Sequence, residues 1–122
     1  MKILHVDDDD DIREITKFAL EMNGEIEVET ASGGRAALER LSAQLPDVIL
    51  LDVMMPEMSG PELKTVLNGR PEYCGVPVIF MTAAAQRSTI DELMGLGAAG
   101  VISKPYDPMT LADEVDRLLG AA

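Results

Sequence analysis

Short apolar runs and longer amphipathic stretches alternate five times along this 122-residue chain, and that rhythm limits its fold more than any other feature. The runs are Ile3-Leu4-His5-Val6, Ile26 to Thr30, Val48 to Leu51, Val78 to Met81 and Val101-Ile102. Each is short enough for a strand and too short for a helix. Ile26 to Thr30 alternates apolar and acidic residues, as a half-exposed edge strand does, whereas Val48 to Leu51 and Val78 to Met81 are continuous in the manner of buried strands. Between the runs, Asp11 to Met22 sets Ile12, Ile15, Ala19 and Met22 at helical spacing, with Gly24 as a stop. Gly33-Gly34 opens a second helix with Ala37, Leu38 and Leu41 inward, and Pro61 suits the first position of a third with Leu63, Val66 and Leu67 inward. Ile90, Leu93 and Met94 outline a fourth helix stopped by Gly97. Asp107-Pro108 reads as cap and first residue of a fifth, with Leu111, Val115, Leu118 and Leu119 as its stripe. The segment Gly69 to Gly75 reads as a surface loop. Strands that alternate with helices predict an α/β domain over residues 1–122: a parallel sheet with helices on both faces, since parallel neighbours need crossovers.

Composition narrows the partners. Ten Lys+Arg against 22 Asp+Glu leave a formal charge of -12, which argues against direct contact with nucleic acid, because phosphate backbones need a basic face. A 47% hydrophobic content excludes a disordered tail, and no apolar run approaches membrane-spanning length. Cys74 is the single cysteine and has no internal disulfide partner, so a cytoplasmic setting is expected.

Polar residues follow the strands in an ordered way. Asp7 and Asp8 follow the first run, Asp52 the third, Thr82 the fourth, and Lys104 the fifth. Ligands of open α/β sheets bind beyond the carboxyl ends of the strands, so the fold would gather three carboxylates, a hydroxyl and an ammonium at one edge. Three carboxylates with one lysine stay under-neutralised and should recruit a cation or raise a pKa. All-oxygen donors favour a hard ion, with Mg²⁺ the best fit. A calcium loop fails in both registers: from Asp7 its glycine and closing glutamate would fall at Ile12 and Phe18, and from Asp8 at Arg13 and Ala19. Asp9, Asp10 and Asp11 read as ordinary acids at a helix start. His5, the only histidine, reads as a core residue.

Val6-Asp7-Asp8, the run Leu51 to Gly60, Phe80-Met81-Thr82-Ala83 and Lys104-Pro105, in that order and each at a strand end, make the chain resemble the receiver domain of two-component response regulators, of the single-domain chemotaxis type. The resemblance spans residues 2 to 119. It implies a flavodoxin-like (βα)5 fold of sheet order 2-1-3-4-5, with a Lys104-Pro105 bond that is commonly cis. It implies Asp52 as phosphoacceptor, taking its phosphoryl group from a sensor histidine kinase or histidine phosphotransfer protein. Asp7, Asp8, Asp52 and the Met54 backbone carbonyl would hold Mg²⁺, and Thr82 and Lys104 would contact phosphoryl oxygens. It also implies a contact face on the fourth and fifth helices, where Arg87, Asp91, Glu92, Asp113 and Glu114 are expected to be exposed.

Two departures from the family pattern carry expectations of their own. Many receivers place a switching aromatic where this chain has Val101, so signalling should rest on Thr82 and the loop Ala83-Ala84-Ala85. The positions that tune hydrolysis hold Met54 and Ala84, neither able to orient a water through its side chain, so a phosphoaspartate should decay slowly. Only Gly120-Ala121-Ala122 follow Leu119, so a stand-alone regulator is expected, acting by protein contacts or phosphorelay, as a monomer or a weak phosphorylation-dependent dimer with an unidentified downstream target. Two other functions compete. One is a receiver-like binding module that works without phosphorylation. The other is a small haloacid dehalogenase-type phosphohydrolase, whose Asp-x-Asp-x-Thr pattern fails at Ile12.

Overall fold

A computed structural model describes residues 1–22, 24–84 and 86–120. Five strands and five helices alternate along the described residues: β1 (Lys2–Val6), α1 (Asp10–Glu21), β2 (Glu27–Ala31), α2 (Gly34–Ala43), β3 (Val48–Asp52), α3 (Gly60–Asn68), β4 (Val78–Thr82), α4 (Arg87–Gly95), β5 (Gly100–Ser103) and α5 (Leu111–Leu119). All strand pairings are parallel, in the order β2-β1-β3-β4-β5. This is the flavodoxin-like architecture expected. The central strands β3 and β4 are buried at every position, which is why their sequences show no alternation.

Because successive strand residues face opposite ways, the sheet divides the core in two. Leu4, Val6, Ile49, Leu51, Val78 and Phe80 pack against α2, α3 and α4 through Ala37, Leu41, Leu63, Leu67 and Leu93. Ile3, Leu50, Ile79, Met81 and Ile102 pack against α1 and α5 through Leu20, Leu111 and Val115.

Several expectations about inward faces need correction. On α1 the buried residues are Thr16 and Leu20, while Ile15 and Met22 are 52% and 57% exposed. The apolar spacing follows the exposed flank of that helix, because a threonine occupies the inner stripe. On α4 only Leu93 is buried and Met94 is exposed. α5 begins at Leu111 with Thr110 at its N-cap, three residues later than Asp107-Pro108 suggests. Asp107 instead closes a turn, accepting from the Met109 amide at 2.9 Å. The segment Gly69 to Gly75 is more than a loop: a 3₁₀ turn at Pro71–Tyr73 beside α3 buries Tyr73 in the core layer that holds Leu63 and Leu67. Ser59 and Glu62 form a reciprocal capping box ahead of α3, with Pro61 in its first turn as expected. No helix among the described residues is long and apolar enough to cross a membrane.

Candidate functional site

The strand registers bring the polar residues to one edge. Val6 pairs with Leu51, Asp52 with Met81 and Thr82 with Ser103, so the residues that leave β1, β3, β4 and β5 emerge side by side. A cleft of about 250 Å³ opens there, lined among others by Asp7, Asp8, Asp52, Met54, Thr82 and Lys104. Every site residue singled out in the sequence borders it.

The three acids approach closely. Asp7, Asp8 and Asp52 each offer a carboxylate oxygen, and these oxygens lie within 4.8 Å of one another. At such a distance two like charges repel by about 3 kcal/mol at an effective dielectric of about 20. Asp7 and Asp52 are buried and Asp8 is exposed. The Lys104 ammonium offsets part of this charge, donating to Asp52 Oδ1 at 2.7 Å and to Asp7 Oδ2 at 3.4 Å. Burial pushes the Asp52 carboxyl above its ordinary pKa. The Lys104 hydrogen bond pulls it back, and Asp7 and Asp8 add to the rise. Burial works against the Lys104 ammonium, yet its bond and attraction to Asp52, with Asp7 behind, carry its pKa above that of an ordinary lysine.

Local structure explains each placement. Asp9 caps α1, accepting from the amides of Asp11 and Ile12, which turns the chain sharply after Asp8. Asp7 Oδ1 accepts from the Asp9 amide at 2.9 Å. Thr82 Oγ1 accepts from the Ala84 amide at 3.0 Å, and the Thr82 carbonyl accepts from the Lys104 amide at 2.8 Å, so β4 fixes where Lys104 leaves the sheet. The Lys104-Pro105 bond is cis. Gly60, the last residue of the run that follows β3, allows a close approach. A Cβ there would sit 2.3 Å from the Asp52 carbonyl oxygen, so only glycine lets α3 start against the end of β3. Val101, in place of an aromatic, is half-buried against the α2–α4 side of the core. The loop after Thr82 is described at Ala83 and Ala84, while Ala85 lies outside the described residues.

Sequence reasoning assigns no role to three residues that hydrogen-bond behind the elements lining the cleft. Arg13 Nη1 donates to the Asp7 carbonyl at 2.6 Å, and its other nitrogen pairs with Asp10. The hydroxyls of Thr16 and Tyr106 meet 2.5 Å apart, joining α1 to the segment that follows Lys104. The sequence carries no direct signal for this pair, because the apolar spacing of α1 marks a different face from the one that holds Thr16.

Carboxylate oxygens with one ammonium make a hard, anionic donor set of the kind that suits Mg²⁺. Asp8 has no hydrogen-bonding or ion-pair partner among the described residues. Its oxygens and the second Asp52 oxygen would complete such a set.

Comparison with known proteins gives the same direction. Residues 3–116 match the family described as response regulator receiver domain. The regulatory protein AtoC of Escherichia coli K12 is 39% identical over 106 residues, which are 87% of this chain but 22% of that protein. An uncharacterized 14.6 kDa protein of Leptolyngbya boryana, from the sodA1 3' region, is 38% identical over 91% of this chain and 84% of its own length. The structure of the chemotaxis response regulator CheY4 of Vibrio cholerae superimposes with a TM-score of 0.88 at 34% identity, covering 96% of this chain and 97% of that one. With the family match spanning nearly all of the sheet and all of the strand-end acids, the chain belongs to the response regulator receiver domains.

Proposed function

We propose that Asp52 accepts a phosphoryl group from a phosphohistidine on a sensor kinase or phosphotransfer protein, and that the chain signals through the change in protein contacts that follows or passes the group onward. The observation that carries this reading is the Asp52 carboxylate 2.7 Å from the Lys104 ammonium, in a cleft whose three acids converge within 4.8 Å. An Asp52 oxygen attacks phosphorus, the P–O bond forms as the P–N bond of the donor breaks, and the imidazole leaves with a proton. Asp7, Asp8, Asp52 and the Met54 carbonyl are the groups that would hold Mg²⁺, which when bound supplies positive charge beside the phosphoryl oxygens. Lys104 keeps the Asp52 carboxylate oriented beforehand and afterwards offers its ammonium to phosphoryl oxygens. Thr82, buried at the end of β4 next to the strand that leads to Lys104, offers its hydroxyl to the same oxygens.

Dephosphorylation needs a water placed in line with the acyl phosphate. Met54 is 79% exposed and Ala84 is exposed, and neither side chain can hydrogen-bond such a water. A phosphoaspartate lifetime of minutes or longer is expected from radiolabel decay, and loss within seconds without a phosphatase would contradict it. The decisive experiment is incubation with acetyl phosphate and Mg²⁺, read by intact mass. The wild-type protein should gain one phosphoryl group, and Asp52→Asn should gain none. An unmodified wild type, or label on an acid of the first cluster, would overturn the reading.

A further inference from the structure

Lys104 sits in a segment, residues 104–110, that joins β5 to α5 without regular structure. Its backbone is held at the start by the bond from the Lys104 amide to Thr82. Beyond that point the polar side-chain contacts of Asp107 and Thr110 stay inside the segment. Among the described residues, two side chains reach from it to the rest of the protein by hydrogen bonds: Lys104 itself, and Tyr106, whose hydroxyl meets that of Thr16 at 2.5 Å.

Apolar packing leaves part of this junction open. Between α1 and the segment lies a groove of about 410 Å³, with Ile12 and Ile15 on one wall and Pro105 and Pro108 on the other. Ile15, 52% exposed, leaves that wall open to solvent. The hydroxyl pair bridges it. Thr16 is fully buried in the layer that holds Leu20, and the Tyr106 ring packs against the core of the same layer. Two hydroxyls in such a place cost desolvation free energy unless they pair, and pairing demands a narrow range of separations, so the bond fixes a spacing where apolar contact would tolerate many.

That spacing matters because of what lies at each end. Thr16 belongs to α1, which Arg13 ties to the Asp7 carbonyl and Asp9 caps directly after Asp8. Tyr106 is two residues from Lys104. The bond therefore connects the element that starts at the acid pair with the segment that presents the ammonium. We propose that Tyr106, through its hydroxyl on Thr16, is a positioning residue that holds Lys104 between Asp52 and Asp7. The inference rests on the phosphoacceptor reading of Asp52 and adds to it a determinant of rate outside the cleft.

Tyr106→Phe keeps the ring and Thr16→Val keeps the shape, so both variants should fold, which thermal melts would establish before rates are compared. With acetyl phosphate at saturating Mg²⁺, each should be phosphorylated about fivefold more slowly than wild type. The double variant should be no slower than either single one, because both remove the same bond. Thr16→Ser, which keeps the hydroxyl, should restore the rate. In metal-free protein, hydrogen exchange at the Lys104 amide, which is bonded to the Thr82 carbonyl, should quicken in Tyr106→Phe and Thr16→Val but not in Thr16→Ser. Wild-type rates and exchange in the two hydroxyl-deleting variants would overturn the inference, as would equal slowing by Thr16→Ser and Thr16→Val. A wild-type protein that takes no phosphoryl group would instead overturn the reading of Asp52, and exchange in the metal-free variants would still decide whether the hydroxyl pair holds the segment.

Discussion

His5 is fully buried in β1, and neither of its ring nitrogens has a hydrogen-bond partner among the described residues. Alternation along the strand puts it on the side of Ile3, the side covered by α1 and α5. Burial lowers its pKa from 6.5 to about 4, only partly countered by the attraction of Asp7, so the folded protein keeps the ring neutral where the unfolded chain protonates it. The sign follows from proton uptake. Between pH 6.5 and about 4 the unfolded state binds more protons, so stability falls as pH falls through that window. The loss across it is about 3 kcal/mol, since each pH unit within the window costs about 1.4 kcal/mol. His5→Leu removes both nitrogens and retains apolar volume. In urea melts its stability should exceed that of wild type by a margin that is constant above pH 6.5 and widens towards pH 4. Parallel curves for the two proteins would show that the histidine does not carry the acid sensitivity.

Among the helices α4 has the thinnest attachment. It buries Leu93 alone, and its N-cap Gln86 makes no side-chain bond. Its C-terminal end is held from outside: Asn68, the last residue of α3, donates to the Leu96 carbonyl at 3.0 Å and accepts from Lys64 at 2.7 Å. Lys64 is 7% exposed, and burial lowers its pKa. Asn68→Ala should therefore cost about 1 kcal/mol, by leaving a part-buried ammonium without its acceptor as well as losing the bond to the Leu96 carbonyl. Hydrogen exchange should quicken first at Leu96 and Gly97, and pairing the change with Lys64→Met should recover part of the loss. Unchanged exchange at those amides would remove the latch. This attachment is not legible in the sequence, and the reason is general. Strand runs such as Val48 to Leu51 and turn residues such as Gly24 and Gly97 report local preference, so the element order and the strand-end acids can be read directly. Lys64, Thr16 and Tyr73 take their inward places from long-range packing, which overrides the polarity that marks a residue as exposed. The α1 stripe misleads for the same reason: Thr16 faces in while Phe18, 72% exposed, faces out.

At the scale of the whole molecule, a formal charge of -12 on 122 residues is carried by the compact state, and the strand-end acids are its most crowded part. Folding brings the distant Asp52 carboxylate against the neighbouring pair Asp7 and Asp8, and among the described residues Lys104 forms ion pairs with two of the three. A divalent ion held by that set binds the folded state alone, so Mg²⁺ should stabilise by mass action, by about 2.7 kcal/mol at a hundredfold excess over its dissociation constant. Monovalent salt also relieves repulsion, by screening, so the comparison must be made between MgCl₂ and NaCl at equal ionic strength. Thermal melts should then show a rise of several degrees specific to Mg²⁺. Asp8→Asn is the informative variant, because Asp8 is exposed and the fold does not lean on it. Without Mg²⁺ it should melt at or above the wild-type temperature, since one repelling charge is gone. With Mg²⁺ it should lose most of the rise. Equal rises in the two salts, or an Asp8→Asn protein that responds to Mg²⁺ as the wild type does, would mean that the convergence of the acids serves no cation and that the lysine alone balances them.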